Sequence, residues 1–164
     1  MTEEEQKKTN WNWSAAGVAI RDGKVLLARH TYGSGNGKLI IPGGYCLTGE
    51  SPQDAVRREF KEETGIDVCT DKLIGLRFSP KDWYAVFSVQ YLSGEPRSDH
   101  DENSEVVWID ITESLQREDV PELTKELIRS ALDSERGFSC IPYNSKHENN
   151  FLYACRADAM PHKA

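Results

Sequence analysis

The sequence predicts a single α/β domain, and three observations carry that prediction. Apolar, β-branched and aromatic runs recur at residues 13–20, 24–28, 39–41, 68–79, 83–92 and 106–109, as strands require. Residues 52–64 and 121–132 instead carry apolar positions at helical spacing. The chain has 164 residues, enough to bury a real core but too few for a second independent domain.

Taken in order, residues 1–10 read MTEEEQKKTN, a charged stretch without the apolar centre of a signal peptide. A mobile arm is expected there, ahead of a domain spanning 11–133. The first two strands flank Arg21-Asp22-Gly23, and Asp-Gly between apolar runs marks an antiparallel hairpin. Arg29 and His30 close the second strand. Residues 32–38, YGSGNGK, match neither the Walker nor the GxGxxG spacing, so a flexible loop is expected. A short buried strand at 39–41 then runs into Pro42-Gly43-Gly44, read as a tight turn toward a helix.

That helix has clear bounds. Ser51 supplies a capping hydroxyl, Pro52 the first helical position, Asp54 a negative charge near the positive end of the dipole, and Gly65 a left-handed stop. Beyond it, the strands 68–79 and 83–92 surround Pro80-Lys81-Asp82. In WYAVFSVQYL the face carrying Trp83, Ala85, Phe87, Val89 and Tyr91 is expected to be core. The polar loop SGEPRSDHDENSE precedes the strand 106–109. A helix over 121–132, with Asp119 as its cap, should cover the sheet face opposite the first helix. Residues 134–164 read as an extension of the same domain, either short strands at 138–143 and 151–155 or a homodimer contact.

A net charge of −7 and a pI near 5.1 argue against non-specific binding to nucleic acid or to an anionic membrane. No run approaches a membrane span, and a cytoplasmic location is expected. Cys46, Cys69, Cys140 and Cys155 show no CxxC spacing, so they read as free thiols.

The informative stretch is the first helix. At roughly 100° per residue, Glu59, Glu62 and Glu63 fall within one arc, beside Ala55 and next to the packing positions Val56 and Phe60. Asp54, Arg57 and Lys61 take the solvated side. Like charges at i,i+3 and i,i+4 cost a helix a few tenths of a kcal/mol each, and a divalent cation removes that conflict. Carboxylate oxygens are hard donors suited to Mg²⁺ or Mn²⁺. The plain alternative is an acid-rich solvated face.

The spacing around that helix decides between them. From Gly44, five residues lead to Glu50 and seven more to Arg58-Glu59, followed by Phe60, Glu62-Glu63, Gly65 and Ile66. A chance match at all these positions has a probability on the order of 10⁻⁹ per starting point. The pattern resembles the Nudix box, G-x5-E-x7-R-E-U-x-E-E-x-G-U with U apolar, at every defined position.

The resemblance implies an α/β/α sandwich, its mixed sheet lying between the box helix and a C-terminal helix. It also implies Mg²⁺- or Mn²⁺-dependent hydrolysis of nucleoside diphosphates linked to a variable group. On that reading the Gly44 carbonyl, Glu59, Glu62 and Glu63 are metal ligands, while Arg58 and Glu50 orient them. Glu62 and Glu63 are catalytic, together with one acid from the later loop, Glu102 first and Glu105 next. Arg29 and Tyr84 are candidates for substrate contact. Pro80, fifteen residues past Gly65, resembles a proline of relatives that cleave ADP-ribose. Nucleoside triphosphate pyrophosphatase activity, a non-catalytic nucleotide sensor and an interaction module docking through the acidic helix are the alternatives.

Overall fold

The computed structural model describes residues 12–80, 82–133, 136–144 and 150–155, and the arm expected over 1–10 lies outside them. Strands are β1 (Asn12–Arg21), β2 (Lys24–His30), β3 (Leu39–Ile40), β4 (Gly43–Tyr45), β5 (Asp67–Phe78), β6 (Asp82–Ser93), β7 (Asn103–Asp110), β8 (Ser139–Ile141) and β9 (Leu152–Ala154). Helices are α1 (Pro52–Thr64), α2 (Ile111–Gln116) and α3 (Glu122–Leu132).

β1 organises a mixed sheet. It runs parallel to β6 over Asn12 to Ala19 and antiparallel to β2 and β4, while β5 pairs β6 and β7 and β3 pair β2, all antiparallel. The β1–β2 hairpin turns on Asp22 and Gly23, both at positive φ (51° and 74°), the backbone that an Asp-Gly pair favours.

Alternate side chains of β1 feed two cores. Ala15 and Ala19 pack with Ala55, Val56 and Phe60 of α1. Ala16 and Val18 pack with Leu127, Ile128 and Ala131 of α3. The sheet is therefore sandwiched, and α3 covers the face opposite α1. Small residues let α1 sit low on the strand. A β-carbon added at Gly17 would lie 2.7 Å from Val89 and 2.8 Å from Phe60.

Four local expectations change. Gly43 and Gly44 are not a tight turn but β4, paired with Ala16 and Ala15; the chain turns later, where Glu50 N–H donates to the Leu47 carbonyl at 3.0 Å. Both faces of β6 are covered around Tyr84 to Phe87, because Val86 and Tyr84 belong to the α3-side core while Ala85, Phe87 and Val89 belong to the other, and Gln90 further along stays exposed. A stretch covered on both sides needs no polar alternation. α3 begins after Pro121 with no side-chain cap, since the Asp119 carboxylate is held by Arg117 and Arg29. The short α2, capped by Asp110 accepting from Glu113 N–H at 3.2 Å, is absent from the sequence reading.

In the C-terminal segment β8 and β9 pair, and Phe138 exchanges two 3.0 Å backbone hydrogen bonds with Leu73 of β5. Among the described residues the cysteines are free, and no helix is long and apolar enough to cross a membrane.

Candidate active site

The site is built where α1 passes beneath β4. The helix starts with Asp54 N–H donating to Ser51 Oγ at 3.2 Å and ends with Gly65 at φ 74°. Between these ends its phase is set by Val56 and Phe60 in the core, which carries Glu59 and Glu63 inward as well. They are 9% and 3% exposed. Gly43 N–H donates to Glu63 Oε2 at 3.3 Å. A β-carbon at Gly44 would stand 2.4 Å from Glu59 Oε1. A side chain here would have to displace the Glu59 carboxylate.

The third acid comes from the far end of the sheet. Glu102 precedes β7, and Glu59, Glu63 and Glu102 each offer a carboxylate oxygen within 4.8 Å of the others. Such proximity is costly for ionised groups. Burial first, then the Glu59 charge, push the Glu63 carboxyl up to about 8, against the opposing Gly43 N–H bond. Glu59 is raised too, by burial, although its ion pair with Arg58 opposes the rise. Three hard oxygen donors held against their own repulsion match what a small divalent cation requires.

Arg58 braces one side of this group. Its Nε and Nη2 donate to the two Glu50 oxygens at 2.8 and 3.0 Å, and Nη2 also reaches the Tyr45 carbonyl at 3.0 Å. Nη1 donates to Glu59 at 2.7 Å and to Glu62 at 3.1 Å. The forked contact fixes a carboxylate more tightly than a point charge would. Glu62 is thus drawn to Arg58, its side chain 59% exposed, and stands outside the three-carboxylate group.

Arg29 ties β2 to β7 and to the segment before α3, donating to Glu105 at 2.9 Å, Asp119 at 3.0 Å and the Gly37 carbonyl at 2.9 Å. Glu105 is thereby spent on an ion pair, which separates it from Glu102. Tyr84 lies in the α3-side core with the Arg77 guanidinium 5.2 Å from its ring centre, and burial raises its phenol. Trp83 packs at a tilt against Trp13, ring centres 4.6 Å apart, and edge-on against Phe78 at 4.7 Å.

Of three further residues near the site, the sequence offers Asp99 only as one of several loop acids, while Asn103 and Tyr32 escape it. Asp99 and Asn103 frame the Glu102 turn. Tyr32, half-exposed after β2, has its phenol raised by burial and then by Glu102, Glu63 and Glu59. The local signal for the first two is an Asp-x-x-x-Asn spacing, visible only once Glu102 is singled out. Tyr32 has none beyond being an aromatic residue in a glycine-rich loop.

The NUDIX domain model matches residues 11–130. The chain belongs to this family. The Nudix box is therefore α1 with the strand and loop before it. Among curated proteins, the NAD-capped RNA hydrolase NudC of Vibrio atlanticus is 32% identical over 133 residues, covering 79% of this chain and 49% of that protein. An ADP-ribose pyrophosphatase of Methanocaldococcus jannaschii is 38% identical over 64 residues, 39% of this chain and 38% of that one. The chain thus spans about half or less of these relatives. A crystal structure of an ADP-ribose pyrophosphatase from Streptococcus suis superposes with a TM-score of 0.63 at 23% identity, covering 85% of this chain and 96% of that one, a likeness of fold.

Proposed function

We propose that this Nudix chain hydrolyses a pyrophosphate bond in a nucleoside diphosphate linked to another group. The observation that carries the reading is the convergence of Glu59, Glu63 and Glu102 within 4.8 Å on an intact Nudix box. Glu59, Glu63 and the Gly44 carbonyl would hold Mg²⁺ or Mn²⁺, which polarises the phosphoryl group, neutralises the departing phosphate and acidifies water. Glu102, the exposed member of the group, would complete the cation site with a carboxylate oxygen and is assigned the proton of the attacking water. Arg58 and Glu50 hold Glu59 in place. Glu62, held by Arg58 through one oxygen, would join the ligand set by swinging in from solvent.

For the substrate we favour ADP-ribose or a related nucleotide sugar. NAD and ADP-ribose, named in the relatives' descriptions, share an adenosine 5′-diphosphate whose distal phosphate carries a second group. That common part supports an ADP-linked substrate. The net charge of −7 favours a small nucleotide over the body of an RNA chain, whose binding rests on phosphate neutralisation by cations.

The test is hydrolysis with Mg²⁺ or Mn²⁺ across ADP-ribose, NAD, an NAD-capped oligonucleotide, UDP-sugars and nucleoside triphosphates, with product analysis. AMP and ribose 5-phosphate from ADP-ribose support the proposal. If kcat/KM for every ADP-linked compound falls at least a hundredfold, about 2.7 kcal/mol, below the best triphosphate, the triphosphate reading replaces it. Calorimetric binding of ADP-ribose without turnover of any compound would instead make the chain a sensor.

A further inference from the structure

The acid-rich segment before β7 is a built turn rather than a solvated charge run. Asp99 Oδ1 accepts from three consecutive backbone amides, those of Asp101 at 3.0 Å, Glu102 at 3.1 Å and Asn103 at 3.1 Å. Ser98 Oγ accepts from His100 N–H at 2.9 Å and donates to the Asn103 carbonyl at 2.7 Å. His100 lies at φ 59°, a left-handed conformation that a non-glycine residue keeps only where its surroundings hold it.

The turn is also pinned at both flanks. Asn103, 1% exposed, donates from Nδ2 to the Glu63 carbonyl at 2.9 Å, which ties the start of β7 to the end of the box helix. On the other side, Thr31 N–H donates to the Glu102 carbonyl at 3.1 Å, and Thr31 Oγ1 donates to the Asp101 carbonyl at 2.7 Å. The backbone of Glu102 is therefore fixed by Asp99 through its N–H and by Thr31 through its carbonyl. Only its side chain is left to extend toward Glu59 and Glu63.

We infer that Asp99 is a positioning residue for the cation and water site, acting through Glu102, with Thr31 as the second brace. The inference rests on the assignment of Glu102 to that site. Asp99 itself lies outside the three-carboxylate group. Its carboxylate acts as the acceptor that closes the turn, a role that a neutral acceptor of the same shape can fill and a methyl group cannot.

The experiment is a double-mutant cycle on the full chain, read first as calorimetric affinity for Mn²⁺ alone. Asp99→Ala should weaken Mn²⁺ binding tenfold to hundredfold, the usual cost of losing a group that orients a ligand. Glu102→Gln should weaken it comparably. In the double variant Asp99→Ala should cost less than threefold beyond Glu102→Gln, because its effect passes through Glu102. Asp99→Asn keeps an acceptor oxygen but not the charge, so it should stay within threefold of wild type. Should Asp99→Ala fail to fold by circular dichroism, Thr31→Val takes its place in the cycle; it loses the Oγ1 bond to the Asp101 carbonyl while keeping the N–H bond to Glu102, so a smaller loss with the same non-additivity is expected. Wild-type affinity in Asp99→Ala, equal losses with and without Glu102, or an Asp99→Asn as weak as Asp99→Ala would each overturn the inference. So would a wild-type protein that binds no Mn²⁺. With ADP-ribose as substrate, kcat should follow the same cycle while KM moves less than threefold. A chain inert toward every nucleotide yet coupled in the Mn²⁺ cycle would overturn the hydrolase reading and leave the positioning role intact.

Discussion

Replacing Glu63 by Gln removes one charge from a side chain that is 3% exposed while nearly keeping its volume. Burial and the neighbouring Glu59 raise the carboxyl from its ordinary 4.5 to about 8. The folded state therefore carries more protons than the unfolded chain between those values, and stability falls as pH rises through that window. The contribution is complete below the ordinary carboxylate pKa and is lost once pH passes 8. At 1.36 kcal/mol per pH unit, the full cost to the ionised wild type is on the order of 3 to 5 kcal/mol. A buried Gln amide that lacks a partner gives back about 1 kcal/mol of this. Glu63→Gln should therefore be more stable than wild type by roughly 2 to 4 kcal/mol at pH 8.5 in EDTA, a rise in Tm of about 4 °C or more for a chain of this size. At pH 5 the two should differ by less than about 1 kcal/mol. Thermal melts across pH 5 to 8.5 in EDTA are the assay. Saturating Mn²⁺ should then raise wild-type Tm more than that of the variant, since a ligand bound only by the native state adds about 2.7 kcal/mol at a hundredfold excess over Kd. Parallel stability curves for the two proteins over the whole pH range would refute the reasoning.

Arg58→Lys keeps the charge but loses the fork that grips Glu50, Glu59 and the Tyr45 carbonyl, so kcat should fall about tenfold to hundredfold, as steady-state kinetics will show. Gly44→Ala sets a methyl 2.4 Å from Glu59 Oε1 and should weaken Mn²⁺ affinity by a comparable factor in calorimetry while the far-ultraviolet circular dichroism is unchanged. Arg29→Ala breaks ion pairs to Glu105 and Asp119, which should cost about 1 kcal/mol of stability and leave KM within twofold. A KM rise beyond tenfold would return Arg29 to the substrate.

The box helix is legible from sequence to the residue because its ends are encoded locally. Ser51, Pro52 and Gly65 act within one turn of themselves, and the observed bounds Pro52–Thr64 follow from them. Asp119 shows where such logic stops. Beside a helix start it has the chemistry of a cap, yet Arg117 lies two residues away and Arg29 is brought across from β2. Two charge-assisted partners outcompete one backbone amide. The double-sided burial of β6 is equally non-local, since Val86 is covered by Leu127 and Ile128 of α3, far downstream in the chain.

The same distinction separates Glu62 from Glu63, which a helical projection leaves nearly equivalent. One step along α1 rotates the side chain by roughly 100°, which takes Glu63 under β4 to the Gly43 N–H and leaves Glu62 beside Arg58 in solvent. Periodicity places both on one acidic stripe. What differs is the strand that closes over the stripe, and β4 is positioned by its pairing with Ala15 and Ala16 of β1, a contact across the sheet that no spacing within the box encodes. Glu102 follows the same rule. Its reach to the cluster depends on a left-handed His100 and on three amides gathered by Asp99, so among the acids of one loop the one with chemistry is chosen by backbone geometry and not by residue type.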